Sequence, residues 1–333
     1  MEKNKRYIDR TRVYSGPISQ VYSAKDQASG KLVALKIVDV DFVVKPHNIK
    51  REIEFLQHQR DTENKGILKY LDSYAFGDDK ILVTEFYQIN LNQLIEKNVK
   101  SSIKYNWNDP SKNQTILRNK FPIDSIGKIF YSLCKTLSYL HDECNIIHRD
   151  IKPSNIYFKN EESLDQPILG DFGIIYQLDS PPMDEPLQDK YTDVCTGVYK
   201  PPELCLGLTD YGPKIDIWSL GIVISKLYSN DGLECLFDAN NRGDLALIDS
   251  IFRHFGTPST TDNSSIELYW PEMKGKSSFE AFEFIPNKRM SAKEMLPRCP
   301  ENILEVWNNM MIYESSNRSS ANDLKVKLEP YCM

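Results

Sequence analysis

The chain has 333 residues, which is too long for one simple hydrophobic core and suits two packed lobes. Hydrophobic residues make up 41% of the sequence and charged residues 26%, an ordinary composition for a soluble globular protein. The formal net charge of −6 argues against a nucleic-acid partner and against an anionic membrane surface.

The cysteines and the first residues point to a cellular compartment. The seven cysteines show no Cys-x-x-Cys spacing and are typical of reduced thiols, and a zinc site would need tighter spacing with the five histidines. The first ten residues lack the apolar core of a signal peptide, and no window reaches the roughly 18 apolar residues of a membrane helix. The sequence therefore predicts a soluble protein of the cytoplasm or the nucleus.

The first part of the chain is predicted to be mainly sheet. Residues 12–40 indicate strands and turns, because apolar and β-branched residues follow a turn signal there. Residues 48–60 have a helical pattern, with Asn48 as a plausible N-cap. Two more strands are predicted over residues 67–71 and 80–86. This region is therefore a sheet with one helix.

The pattern becomes helical after about residue 88. Residues 97–120 are polar and are predicted to be a surface insertion without regular structure. Apolar residues at helical spacing over 126–140 predict a long helix with one buried face. Residues 214–228 are nearly apolar all round, which suits a helix inside a lobe. Further helical patterns cover residues 304–313 and 321–328.

Residues 148–155 read His-Arg-Asp-Ile-Lys-Pro-Ser-Asn, the strongest chemical signal in the chain. A β region followed by a helical region with this string resembles the eukaryotic protein-kinase family over almost the whole chain. The resemblance implies an α+β bilobal fold. Residues 1–87 would form a small, mainly-β N-lobe with one helix that binds ATP. Residues 88–333 would form a larger, mainly-α C-lobe with the catalytic loop, the activation segment and the substrate-binding surface.

The resemblance implies roles for three residues of this string. Phosphoryl transfer needs positioning and charge neutralisation more than covalent catalysis. Asp150 would orient the acceptor hydroxyl and take its proton late, and Lys152 would carry positive charge toward the transferring phosphoryl group. Asn155 would supply an oxygen to Mg²⁺, a hard cation that prefers oxygen ligands.

A second expected metal ligand lies in the Asp-Phe-Gly string at residues 171–173, which begins 21 residues after Asp150. By the resemblance, Asp171 would chelate Mg²⁺ that bridges the ATP phosphates. Phe172 would pack against the N-lobe helix. The string is informative because of its place downstream of the catalytic loop.

The strand lysine and its partner come from the N-lobe. Lys36, at the end of Val-Ala-Leu-Lys, would hold the α- and β-phosphates of ATP. Glu52 is its expected ion-pair partner, because its surroundings match the corresponding segment of cyclin-dependent kinases without a gap. Glu54 is the rival candidate.

The hinge between the lobes would be Thr84-Glu85-Phe86-Tyr87, whose backbone would bond adenine, with Thr84 as the gatekeeper. The resemblance implies an adenine pocket formed by Val21, Ala34, Thr84, Glu85, Tyr87 and Tyr157.

The stretch from Tyr14 to Val21 departs from the Gly-x-Gly-x-x-Gly pattern of the family. Only the middle glycine, Gly16, is present, although backbone amides there must approach phosphates closely. This loss admits an interpretation from another class, a pseudokinase that acts as a binding scaffold. The loop holds neither metal nor base, so the retained catalytic residues favour an active enzyme.

Two further strings are predicted to be structural. Glu203 would form a buried ion pair with Arg318 that holds the C-lobe together. Asp216 would anchor the backbone of the catalytic loop.

The branch of the family is indicated by the C-lobe. Residues 251–258 (Ile-Phe-Arg-His-Phe-Gly-Thr-Pro) resemble the insert of cyclin-dependent and MAP kinases. The degenerate glycine loop, Pro-His-Asn at 46–48 and the string at 192–203 together resemble the single-subunit CDK-activating kinases of fungi. Ile174 is consistent with a threonine acceptor.

This resemblance implies a monomer that phosphorylates the activation-loop threonine of a cyclin-dependent kinase. It implies no obligate cyclin, no nucleic acid and no membrane partner. The alternative enzyme is a divergent cyclin-dependent or MAP-type kinase that acts before proline.

The activation segment, residues 171–203, is unusual. Tyr191 occupies the position of the usual activating threonine, with Thr192 beside it. Arg149 and Arg51 would normally grip the phosphate, but the third basic position holds Tyr176. The carboxylates of the segment are Asp179, Asp184, Glu185, Asp189 and Asp193. We hypothesise that carboxylates replace the phosphate. The alternative is that they solvate a mobile loop.

Overall fold

The computed structural model describes residues 3–41, 44–60, 66–233, 236–237 and 243–332. The first lobe is built on a five-stranded antiparallel sheet with the strand order β1-β2-β3-β5-β4. Its elements are α1 (Lys3–Arg6), β1 (Tyr7–Ser15), β2 (Gln20–Asp26), β3 (Leu32–Asp39), α2 (Ile49–His58), β4 (Tyr70–Phe76) and β5 (Asp79–Glu85). The predicted mainly-β lobe is confirmed. Its described residues contain two helices and not the single predicted one, because the one-turn helix α1 precedes β1.

Helix α2 begins where the sequence predicts. The side-chain oxygen of Asn48 accepts hydrogen bonds from the backbone N–H groups of Lys50 and Arg51, at 3.0 and 3.1 Å. This N-cap satisfies donors that have no partner inside the helix. The helix ends at His58, two residues before the predicted end, and buries Leu56 in the main core.

Strand β4 lies later in the chain than the predicted strand over 67–71. Ile67 forms only an isolated bridge with Leu169 of the second lobe. Ile67 and Leu68 pack as partly buried residues against the core that both lobes share. Ile67 and Leu68 are therefore apolar because they contact the second lobe. The strand of the sheet starts later, at Tyr70.

The second lobe is mainly helical, as predicted. In chain order it contains β6 (Ile89–Asn90), α3 (Leu91–Lys97), β7 (Val99–Lys104), β8 (Gln114–Asn119), α4 (Ile123–Ser138), β9 (Ile146–Ile147), β10 (Ile156–Phe158), β11 (Ile168–Leu169), β12 (Tyr176–Gln177), α5 (Pro202–Cys205), α6 (Lys214–Tyr228), α7 (Asp244–Phe255), α8 (Ser277–Glu280), α9 (Ala292–Met295), α10 (Glu301–Asn308) and α11 (Ala321–Cys332). Among the residues that the structure describes, no helix is long and apolar enough to cross a membrane.

The predicted helices of this lobe are present, with shifted ends. Helix α6 covers the predicted residues 214–228 and is buried on nearly all sides. The predicted helix over 304–313 is instead α10, which stops at Asn308. Met310 and Tyr313 beyond it are still buried in the core, so the apolar pattern continues after the helix has ended.

The prediction that residues 97–120 lack regular structure is wrong. Strands β7 and β8 form an antiparallel hairpin whose pairs run from Val99 opposite Asn119 to Lys104 opposite Gln114. Its side chains are mostly exposed, so no buried face gives the sequence an alternating pattern. Backbone hydrogen bonds hold the hairpin, and the Asn119 amide fixes its base by donating to the carbonyls of Leu227 (2.9 Å) and Ser229 (3.1 Å).

Two buried carboxylates fix the helical lobe, as the sequence predicts. Arg318 donates both ends of its guanidinium to Glu203, with Nη2 at 2.7 Å from Oε2, and both side chains are almost completely buried. Asp216 of α6 accepts the backbone N–H groups of His148 and Arg149, each at 2.8 Å. These bonds attach the loop that carries residues 148–155 to the central helix.

Candidate active site

A cleft between the sheet and the helical lobe gathers almost all of the predicted site residues. Its cavity of about 870 Å³ lies in the size range of pockets for small molecules. The predicted residues that line it are Val21, Ala34, Lys36, Glu52, Thr84, Glu85, Tyr87, Asp150, Lys152, Asn155, Tyr157 and Asp171. Residues separated by more than 130 positions in the chain therefore meet in one cavity.

Gly16 is the exception, because the cavity is lined there by its neighbours Tyr14, Pro17, Ile18 and Ser19. Gly16 lies in a turn in which its N–H donates to the carbonyl of Ser19 at 2.9 Å. A Cβ on Gly16 would stand 2.4 Å from the Tyr14 hydroxyl oxygen. Gly16 itself is not part of the cavity lining, and its predicted contact with the ligand stays a prediction. Its lack of a side chain makes room for the Tyr14 ring.

An ion cluster occupies the centre of the cleft. The ammonium of Lys36 lies 2.7 Å from Glu52 Oε2 and 2.7 Å from Asp171 Oδ1. Burial by itself lowers the pKa of Lys36, but the charges of Asp171 and Glu52 outweigh it and raise the pKa. Glu54 is exposed, so the predicted choice of Glu52 as partner is confirmed.

Asp171 remains ionised for the complementary reason. Burial would raise the pKa of its carboxyl, but the Lys36 charge and hydrogen bond hold that pKa well below its usual range. The backbone of Asp171 adopts a positive φ of 62°. Such strain in a residue other than glycine persists only where the surroundings enforce it, and it is frequent at functional sites.

Phe172 fixes helix α2 against the segment that begins at Asp171. Its ring is completely buried, with ring centroids 5.0 Å from Phe55 of α2 and 5.0 Å from His148. The backbone N–H of Phe172 also donates to Glu52 Oε1 at 3.2 Å. The predicted packing of Phe172 on the N-lobe helix is confirmed, and it sets Glu52 in reach of Lys36.

The catalytic-loop side chains converge on Asp150. Its Oδ2 lies 2.8 Å from Lys152 Nζ and 3.0 Å from Asn155 Nδ2. Its Oδ1 accepts a hydrogen bond from the Thr196 hydroxyl at 2.7 Å, and Lys152 also donates to that hydroxyl at 2.8 Å. Sequence reasoning did not select Thr196 as a site residue. Its only signal was its place in the Thr-Gly-Val-Tyr-Lys string before Glu203.

The two predicted metal ligands fit a magnesium ion. Asn155 uses its side-chain N–H₂ to bond the carbonyl and carboxylate of Asp150, which leaves its amide oxygen for a cation. Asp171 uses Oδ1 for Lys36 and keeps Oδ2. Within the described ranges, no group of three or more His, Cys, Asp or Glu side chains could hold a metal. Two oxygen ligands suit Mg²⁺, which usually completes its shell with substrate phosphates and waters.

The predicted adenine pocket lies at the sheet end of the same cleft. Ala34 of β3 pairs with Thr84 of β5, and Thr84 is buried. The rings of Tyr87 and Tyr157 lie 6.3 Å apart on the side of the helical lobe. Residues of β-strands and these two aromatic rings thus line the part of the cleft where the adenine base is predicted to lie.

A second buried ion pair lies beside the catalytic loop. The guanidinium of Arg149 is completely buried and donates to both carboxylate oxygens of Glu185, with Nη2 at 3.3 Å from Oε2. Glu185 Oε1 also accepts the backbone N–H of Tyr191 at 3.0 Å. The hydroxyl of Tyr176, at the third basic position, donates to the Glu185 carbonyl at 3.0 Å. One carboxylate of the predicted acidic set thus binds the predicted arginine.

The other members of the predicted set do not reach this arginine. Asp184 pairs with Lys45 at 2.5 Å, Asp179 accepts from Asn145, and Asp189 and Asp193 are exposed. Arg51 also does not reach Glu185, since its guanidinium donates to the Ile175 carbonyl at 3.3 Å. Of the contacts hypothesised between the carboxylates of the segment and the two arginines, the described residues form the one between Glu185 and Arg149.

The chain matches a known protein family and is similar to several known proteins. The family model described as protein kinase domain matches residues 7–328. The chain is 31% identical over 283 residues to serine/threonine-protein kinase CAK1 of Saccharomyces cerevisiae, covering 75% of this chain and 73% of that protein. It is 27% identical over 315 residues to cyclin-dependent kinase B2-1 of Arabidopsis thaliana, covering 93% and 88%. It is 30% identical over 329 residues to CTD kinase subunit alpha of Saccharomyces cerevisiae, covering 95% and 53%.

Proposed function

This chain belongs to the protein kinase family and is a serine/threonine-protein kinase that uses ATP and Mg²⁺, and from this premise we propose that it phosphorylates the activation-loop threonine of cyclin-dependent kinases as a monomer. The string at 192–203 and the Pro-His-Asn at 46–48, which resemble the fungal CDK-activating kinases, support this substrate. A substrate of this kind places the enzyme in the cytoplasm or the nucleus, which we also propose.

The chemistry is distributed over seven side chains. Asp150 would accept the hydrogen of the substrate threonine hydroxyl, and Thr196 and Lys152 hold its carboxylate in place. Lys36 would hold the ATP phosphates, kept in position by Glu52. The threonine oxygen bonds to the γ-phosphorus, the bond from that phosphorus to the β-γ bridging oxygen breaks, and ADP leaves. Bound Mg²⁺ supplies charge neutralisation to the phosphates, and Asn155 and Asp171 would hold it.

The observation that carries monomeric activity is the contact between Lys36 and Glu52, because it forms within a single chain. Helix α2 must lie inward for this pair to exist. The N–H of Asn48 donates to the Gly173 carbonyl at 2.8 Å, and Arg51 donates to the Ile175 carbonyl at 3.3 Å. These bonds attach α2 to the activation segment without a second subunit.

Glu185 supports activity without phosphorylation of the segment. A phosphate on an activation segment orders it by pairing with arginine. Here the Glu185 carboxylate makes a two-point contact with Arg149, the same kind of charge-assisted bond. The segment is therefore held against the catalytic loop by an unmodified side chain.

The test is transfer of radiolabel from ATP by the purified chain and by its Asp150→Ala variant. The substrate is a catalytically inactive cyclin-dependent kinase, either intact or with its activation-loop threonine replaced by alanine. We expect label in the intact substrate only, without an added cyclin, and none with Asp150→Ala. Absence of label there, together with transfer to a Ser/Thr-Pro peptide, would overturn the proposal in favour of a divergent proline-directed kinase.

A further inference from the structure

The hairpin formed by β7 and β8 exposes large aromatic side chains at its tip. Trp107 is 91% exposed and Tyr105 is 61% exposed, with their ring centroids 6.1 Å apart. The other three tryptophans of the chain are completely buried and are Trp218, Trp270 and Trp307. A tryptophan left in water forgoes the hydrophobic stabilisation that the others obtain, and paired exposed aromatics are typical of interaction surfaces.

The register of the hairpin separates its side chains into two faces. Lys100 lies opposite Arg118, and Lys104 follows on the same face. Like charges directly opposite each other destabilise a strand pair. None of these three cations forms an ion pair with a carboxylate in the described part of the chain. The face is therefore an unneutralised positive surface on a protein whose net charge is −6.

The other face is mixed, with the apolar side chains of Ile103 and Leu117 beside the polar side chains of Ser101 and Thr115. Ile103 lies opposite Thr115, and Leu117 follows Thr115 on the same side of the ribbon. Ile103 is 55% exposed, so this face is not covered by the rest of the chain. The hairpin thus combines apolar contact area, an aromatic tip and positive charge.

The base of the hairpin is rigidly attached. The Asn119 amide donates to the carbonyls of Leu227 and Ser229, and its backbone N–H donates to the Asn230 carbonyl at 2.7 Å. The N–H of Lys120 donates to the Asn98 carbonyl at 2.8 Å. A hairpin held in this way loses little conformational entropy when it binds.

We propose that this hairpin is a docking arm for the folded protein substrate, whose surface presents acidic side chains beside an apolar pocket that receives Trp107. The proposal rests on the proposed function, because it names where that substrate is held outside the cleft. Lys100, Lys104 and Arg118 would meet the acidic groups, and Trp107 would supply the buried anchor. The exposed side chains of Ile103 and Trp107 and the net negative charge of the whole chain favour a protein over a nucleic acid.

Binding can be measured directly, because Trp107 is the only exposed tryptophan. Titration with the catalytically inactive cyclin-dependent kinase, in a form whose own tryptophans are replaced by phenylalanine, should shift the emission to the blue and protect it from acrylamide. The Lys100→Glu/Arg118→Glu variant should weaken this binding about tenfold, more strongly at low salt. Lys274→Glu/Lys276→Glu, which changes two exposed lysines elsewhere, is the matched control and should bind normally.

Kinetics supply the second measurement. Trp107→Ala should raise KM for the folded substrate about 10- to 30-fold and leave kinetics on a short threonine peptide unchanged. Ile285→Ala, at an apolar residue that is 78% exposed elsewhere, should change neither. An unchanged KM and unshifted emission would overturn the docking arm even if the wild-type chain phosphorylates this substrate. Loss of affinity for single-stranded nucleic acid alone in Trp107→Ala would overturn it in favour of a nucleic-acid surface.

The two proposals fail in different ways. If the wild-type chain transfers no label to the cyclin-dependent kinase, the proposed function fails. If the same protein nevertheless protects Trp107 in the titration, the docking arm stands without that reaction.

Discussion

Two buried arginine–glutamate pairs hold this molecule together, and they differ in what surrounds them. Arg318 and Glu203 join positions 115 residues apart inside the helical lobe. Arg149 and Glu185 join positions 36 residues apart, and Glu185 is a buried residue whose two chain neighbours in the activation segment are exposed. Both pairs join the same two chemical groups. They differ because Glu185 lies on a segment that can move separately from the helical lobe.

This difference separates a structural role from a conformational one. Neither Arg318 nor Glu203 can reach water unless the helical lobe opens. Glu185 can reach water if only its segment detaches, and that movement also hydrates Arg149. Separation of the first pair therefore costs global stability, and separation of the second changes a local equilibrium.

The largest effect is expected from Arg318→Leu. The substitution leaves the Glu203 carboxylate buried without a partner, so the free energy of unfolding should fall by about 3–5 kcal/mol. Urea denaturation measures this loss. The double variant Glu203→Leu/Arg318→Leu should recover most of it, because no buried charge remains. A single variant as stable as the wild type would remove the distinction between the two pairs.

Glu185→Gln tests the second pair, because it removes the carboxylate that binds Arg149. With the carboxylate gone, the segment should detach in most molecules, and kcat should fall about tenfold because only the attached molecules are active. The loss of global stability should be smaller than for Arg318→Leu. Peptide kinetics and urea denaturation measure the two effects.

Asp189→Asn is the matched control for Glu185→Gln, since it removes the same charge from an exposed position of the same segment. It should leave kcat within about twofold, as exposed charges contribute little. Equal losses in both variants would show that the charge of the segment matters and that the Arg149 contact does not. Phosphatase treatment should leave the wild-type enzyme active.

The smallest effect concerns Glu272, which lies near Arg318 but forms no ion pair with an arginine in the part of the chain that the structure describes. Its Oε2 is buried without a hydrogen-bond partner among the described residues. Burial, followed by the charge of Glu314, raises the pKa of Glu272 from 4.5 to about 7. A raised carboxyl pKa contributes stability below about pH 4.5 that is lost as the pH rises through about 7.

Glu272→Gln should therefore stabilise the protein at pH 8 by about 1–2 kcal/mol, a value reduced for partial solvation of this carboxyl. At pH 4.5 the two proteins should unfold at nearly the same urea concentration. A stability difference that is independent of pH would contradict the assignment of the raised pKa to Glu272.

The sequence predicts the residues of the catalytic cleft better than the contacts that hold the activation segment beside it. Lys36, Asp150, Asn155 and Asp171 stand in strings whose spacing is imposed by the chemistry, so their residue types identify them. Which of the five acidic residues binds Arg149 depends on the path of the activation segment. That path is fixed by long-range contacts, such as the Tyr176 hydroxyl on the Glu185 carbonyl, which no local pattern encodes.

The clearest wrong prediction concerns the hairpin. The hairpin over residues 99–119 is held by backbone bonds and one buried amide, so its side chains carry no burial pattern for prediction. The contact of Gly16 with the ligand stays a prediction that rests on its position in the loop. The structure shows that its missing side chain makes room for the Tyr14 ring.

The contact between Arg149 and Glu185 also bears on how such an enzyme is used by a cell. A phosphate is added and removed by other enzymes, whereas Glu185 is encoded in the gene and no phosphatase can erase it. An enzyme ordered in this way cannot be switched off by removal of a phosphate from its activation segment. The rate of phosphorylation in the cell would then depend on the abundance of the enzyme, its location and the supply of substrate. Control of when the reaction occurs would have to act on one of these three.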